Sequence, residues 1–133
     1  MDRELDRLSA AAARVQADLR RTTGRPWRCS VDAAHLLTVT DGTVTGRVVL
    51  DAEVEDEEWF VPAGATPAER DAGLDADADE VVAGEVTAAL RDHGVEWPRC
   101  PDHHRQLGAC SGWWTCEGGA SHDVAEVGSL QAG

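Results

Sequence analysis

Four residues in the last third of the chain have the types and spacing of a metal site. In Cys100-Pro101-Asp102-His103 a thiol and an imidazole flank a two-residue turn, which lets both meet one ion. Cys116 follows after twelve residues, and His122 after five more. Zinc takes four such ligands in a tetrahedron and favours thiolate and imidazole. The expected metal is therefore zinc, held by Cys100, His103, Cys116 and His122. Spacing alone leaves His104 as an alternative to His103, and Cys110 as an alternative to His122. The order Cys-His-Cys-His, with no helical pattern between the halves, argues against a ββα finger that reads DNA.

Catalytic readings find less support. A hydrolytic zinc keeps one position open for water and needs a carboxylate base nearby. Cys100, His103 and Cys116 as ligands, with Glu117 as base, would meet that need. The His-x-Glu and Cys-x-x-Cys of zinc deaminases are absent, and so is His-Glu-x-x-His. A thiol enzyme needs a Cys, a His and an orienting third group, and Cys110 with His122 or His104 supplies two of the three. Cys29 beside Arg28 reads as an inert, half-buried thiol. All twelve basic residues are Arg. Without an ε-amine there is no Schiff-base chemistry and no P-loop lysine. Asp75-Ala76-Asp77-Ala78-Asp79 opens like an EF-hand loop. It then carries Glu80 where Gly is required and Val86 where a bidentate Glu belongs.

The C-terminal quarter resembles the zinc-ribbon-like tails of small actinobacterial proteins of unknown function. The elements that carry the likeness are Trp97-Pro98, the Cys100-Pro101-Asp102-His103 knuckle, the Trp114-Thr115-Cys116 strand and the short apolar end at 124–130. The resemblance implies a ribbon and no particular activity.

The charge is uneven. Of the net -13, residues 51–80 carry twelve acids against Arg70 alone, whereas residues 1–50 carry eight Arg against six acids. A belt this acidic repels phosphate backbones, so no nucleic-acid partner is expected; a basic protein partner suits it better. Its simplest use is as a solvated loop. The absence of Lys, Asn, Ile and Tyr matches the coding bias of a high-GC genome. No apolar run reaches the ~20 residues of a membrane helix. The charged opening MDRELDRLSA lacks an apolar signal core, which predicts a cytoplasmic, reducing location where Cys residues serve as ligands and not as a disulfide framework.

These residues need elements to position them. Leu5, Leu8, Ala12, Val15 and Leu19 lie on one stripe of a helix over 2–22, with Asp2 at its start. The same stripe reads as three short a/d heptads. Asp41-Gly42 predicts a tight hairpin over 35–50 that pairs Thr40 with Thr43 and Val39 with Val44, with Leu37, Val39, Val44 and Val48 on one face. Residues 27–31 lead into it, and Trp59-Phe60-Val61 reads as a third strand. Residues 62–80 read as a connector with a helical turn capped at Thr66. A main helix follows at 78–92, stopped by Gly94. Short strands are expected at 95–97, 112–116 and 123–127. If Trp113 and Trp114 lie on a strand, they point to opposite faces.

The expected fold is α+β: an N-terminal helix, a three-stranded antiparallel sheet, a second helix and a small C-terminal zinc-ribbon-like element. Residues 1–94 form the main domain and 95–133 the ribbon packed on it. The expected function is a protein-binding or adaptor module with structural zinc, engaging a basic partner through the acidic stretch 53–58 and Trp59. A small zinc-dependent hydrolase and an accessory subunit of a larger assembly are the alternatives.

Overall fold

The computed structural model describes residues 3–50, 66–116 and 122–131. In chain order the elements are α1 (Arg3–Thr23), β1 (Arg28–Val31), β2 (Leu36–Thr40), β3 (Thr45–Val49), α2 (Pro67–Asp92), β4 (Gly108–Cys110), β5 (Trp113–Cys116) and β6 (His122–Glu126). This is the expected α+β class. One antiparallel sheet has the order β1-β2-β3 and a second, smaller one the order β4-β5-β6. None of the described helices is long and apolar enough to cross a membrane.

The stripe on α1 is buried at Leu8, Ala12, Val15 and Leu19. It packs along α2 and β1 of its own chain, so the heptad reading is not needed to cover it. Asp2 lies outside the described residues.

Helix α2 begins as expected: Thr66 Oγ1 accepts from Glu69 N at 3.2 Å, and Pro67 occupies the first turn. It does not pause in a connector but runs 26 residues to Asp92. Residues 67–77 show little apolar periodicity, which is why the helix was not expected there. Arginines of α1 hold this stretch instead. Arg7 reaches Asp71 at 3.3 Å and Asp75 at 3.6 Å, and Arg14 reaches Asp79 at 2.6 Å. Part of the acidic belt is therefore a helix face matched to α1, not a solvated loop. The helix ends where Gly94 takes φ +78°, with Gly94 N bonded to Arg91 O and Val95 N to Leu90 O.

The hairpin forms with a register two residues wider than expected. Thr40 faces Thr45, Val39 faces Gly46 and Leu37 faces Val48. The turn widens because the Asp41 carboxylate accepts from Thr43 N at 2.8 Å and Val44 N at 2.7 Å, and it also pairs with Arg25. Those two amides hold the Asp41 carboxyl below the usual carboxylate range. A slip of two residues keeps every side chain on its face, whereas a slip of one would not. Leu37 and Val39 are accordingly buried as expected. The strand expected at Trp59-Phe60-Val61 lies outside the described residues. The third strand of this sheet is β1, which pairs Cys29 with Val39 and Val31 with Leu37.

Gly46 lets the sheet approach α2. A Cβ built there would lie 3.0 Å from Ala89 Cβ and 3.4 Å from Val39 Cγ1. Gly46→Val should therefore destabilise the protein by ~1–3 kcal/mol through overpacking. An unchanged denaturation midpoint would show that α2 has room to move.

In the C-terminal third, β5 and β6 form close to the expected positions, but residues 95–97 are not a strand and β4 was not foreseen. The amide of Val95 closes the end of α2, and Trp97 Nε1 donates to Thr22 Oγ1 at 2.9 Å, so this stretch is spent on docking to the helices. One buried cluster runs through both parts of the chain, from Leu8, Val15 and Val82 to Trp97, Trp114 and Leu130.

Candidate metal centre

Strand β5 aims the first ligand. Trp113 is 38% exposed while Trp114 and Cys116 are fully buried, so the two tryptophans face opposite ways and Cys116 points inward. Across the ladder, Cys116 is the partner of His122. Directly opposed residues share a face, which brings this thiol and imidazole together.

The knuckle supplies the other half. Leu107 N donates to Pro98 O at 2.8 Å, and Arg99 bridges to Gln106, which closes the base of the loop. At its tip Cys100 N donates to Arg105 O and His104 N donates to Cys100 O, both at 2.8 Å. Trp97 stacks edge-on against Trp114 with ring centroids 5.2 Å apart, so knuckle and hairpin share a wall.

The result is a cluster of Cys100, His103, Cys116 and His122 whose ligand atoms all lie within 4.8 Å of one another. The Cys100 and Cys116 Sγ atoms lie 3.6 and 3.4 Å from His103 Nδ1, and Cys100 Sγ lies 3.9 Å from His122 Nε2. A tetrahedron with bonds of ~2.3 Å to sulfur and ~2.1 Å to nitrogen has S···N edges of ~3.6 Å. The spacing matches such a shell, so the cluster can hold a metal ion. His103 would bind through Nδ1 and His122 through Nε2.

The backbone also suits an anionic sulfur. Burial opposes ionisation of Cys100, but the amides of His103 and Asp102 and a hydrogen bond from Cys116 outweigh it. The Cys100 thiol is held below its usual range even with the Asp102 charge acting the other way. The two rivals fall outside the cluster. His104 takes a left-handed φ of +56° and lines a pocket with Pro101 and Trp97. Cys110 is exposed and sits opposite Trp113, on the outer face of the sheet. Cys29 is buried in the core and not half-buried as expected, and burial pushes its thiol up to about 12 despite the nearby Arg20, which disfavours the reactive thiolate. Glu117, the base proposed for a hydrolytic site, lies outside the described residues.

One residue that positions the site escaped the sequence reading. Asp18 on α1 is fully buried. Its Oδ2 accepts from Trp114 Nε1 at 2.8 Å and Gly128 N at 2.7 Å, and its Oδ1 accepts from Leu130 N at 3.0 Å and Arg21 at 3.1 Å. It ties the strand bearing Cys116, and the turn after β6, to the first helix. The available signal was a carboxylate three residues past Val15, within the apolar stripe. Comparison of the chain with family models, with curated proteins and with solved structures finds no match, so the functional reading stands on this geometry.

Proposed function

We propose that this chain is a protein-binding or adaptor module whose C-terminal third folds around one structural zinc ion. The observation that carries the reading is the convergence of four ligand atoms within 4.8 Å of one another, with three S···N separations of 3.4–3.9 Å. Two thiolates and two imidazoles in that arrangement favour zinc over harder cations. Four protein ligands fill the shell and leave no position for a reacting water, which favours a structural ion over a hydrolytic one. A reducing, cytoplasmic setting would keep both thiolates available.

For the binding role, the acidic stretch 53–58 with Trp59 is the proposed contact for a basic protein, although it lies outside the described residues. Residues 53–58 hold five acids and no basic residue, whereas Arg7 and Arg14 of α1 offset three of the acids of α2. The same charge disfavours nucleic acid.

Purified without a His tag, the protein should carry about one zinc per chain, and cobalt substitution should give the visible bands of a tetrahedral thiolate site. Metal content near zero from zinc-supplemented cells would overturn the zinc reading. Glu57→Arg/Glu58→Arg should abolish specific capture of basic partners from the native host while leaving the melting curve unchanged. Recovery of the same partners would remove the acidic stretch as the contact.

A further inference from the structure

We infer that Cys100 and Cys116 form a peroxide-sensitive thiol pair whose oxidation to a disulfide releases the metal. The inference rests on the metal-site reading above and adds a modification to it. The two Sγ atoms belong to one cluster spanning no more than 4.8 Å, yet come from separate segments, the knuckle and β5. A disulfide needs ~2.05 Å between sulfurs, so from a separation of at most 4.8 Å the pair has ~2.8 Å or less to close. Each sulfur already lies beside the other's neighbour: His103 Nδ1 contacts both.

Both sulfurs are buried, so a small oxidant must pass the groups that cover them. His103 is exposed, so among the described residues that flank of the cluster reaches solvent at its imidazole. An open pocket of about 340 Å³ has Cys100, Pro101 and His104 in its wall. The other two cysteines have no such arrangement: Cys29 is buried away from the cluster, and Cys110 stands on the outer face of its sheet.

The chemistry balances with hydrogen peroxide as the two-electron oxidant. One thiolate attacks the O–O bond, forming a sulfenic acid and releasing hydroxide. The second thiolate attacks that sulfur, forming the S–S bond and releasing a second hydroxide. The ion loses two of its four ligands, and the remaining His103 and His122 do not retain it. The disulfide leaves knuckle and hairpin joined, so oxidation would eject the metal without freeing the ribbon.

The test treats zinc-loaded wild-type and Cys110→Ser proteins with hydrogen peroxide. Zinc is followed with a chromophoric chelator, thiols are counted, and cross-links are located by peptide mapping. The expected result in both proteins is one zinc released per chain together with a Cys100–Cys116 cross-link. In the Cys110→Ser protein two thiols are lost, and dithiothreitol with added zinc restores both readings. Retained zinc, or release accompanied by sulfinic acid without that cross-link, overturns the inference while leaving the metal site standing. Protein that carries no zinc before treatment overturns the metal-site reading and the release step with it.

Discussion

Asp18→Ala should cost a large part of the protein's stability. The carboxylate is fully buried and serves Trp114 Nε1, Gly128 N, Leu130 N and Arg21 at 2.7–3.1 Å. Alanine removes the acceptor and leaves the donors in place. Each buried, unsatisfied donor costs ~1–3 kcal/mol, and a total of ~4 kcal/mol is a large part of the ~5–15 kcal/mol typical of a whole domain. For a chain of this length that corresponds to a fall in Tm on the order of 15 °C. Asp18→Asn keeps the shape but turns an NH2 group toward N–H donors, so it should fall between alanine and wild type. The damage should begin in the C-terminal third, because three of the four partners of Asp18 lie there. Thermal melts at neutral pH, with hydrogen exchange at Leu130 and Gly128, read both effects. A Tm for Asp18→Ala within a few degrees of wild type would show that the hub is dispensable.

The second large effect is loss of a metal ligand. Cys100→Ser and Cys116→Ser should each abolish stoichiometric zinc and melt the C-terminal third. The binding energy of a structural zinc, ~10–16 kcal/mol apparent in small zinc domains, is there folding energy. Even a fraction of that, ~3 kcal/mol or more, exceeds what the small β4-β5-β6 sheet has in reserve. Because Cys100, Cys116, Trp97 and Trp114 belong to the common buried cluster, the loss should also weaken the helices. Chelation of wild type should reproduce the change, with altered fluorescence from the stacked Trp97 and Trp114. His104→Ala and Cys110→Ser are the controls, since neither residue is in the cluster. Zinc kept by Cys100→Ser and lost by Cys110→Ser would reverse the ligand assignment.

The hairpin register and the start of the long helix depart from expectation for definable reasons. The hairpin register was read from Asp41-Gly42 as a two-residue turn, but the Asp41 side chain captures two amides and makes a wider loop. Residues 67–77 lack an apolar stripe, which predicts a connector, yet the helix starts at its Thr66 cap and runs on through them, with Arg7 of α1 paired to Asp71 and Asp75.

What the sequence determined by itself is local. The apolar stripe of α1 sets its buried face, Thr66 with Pro67 starts α2, and Gly94 stops it. Strand alternation puts Leu37 and Val39 inward, and Trp113 and Trp114 on opposite sides. Residue type and spacing also nominate Cys100, His103, Cys116 and His122, because ligand chemistry and a two-residue turn are properties of short segments. Only the tertiary structure chose among the candidates. His122 displaces Cys110 because ladder pairing puts His122 across from Cys116 and Cys110 across from Trp113. Asp18 gained its role the same way, from partners 96 to 112 residues further along the chain. Such pairings depend on how strands register and how helices dock, and these are set by burial summed over the whole core, which no short window of sequence contains.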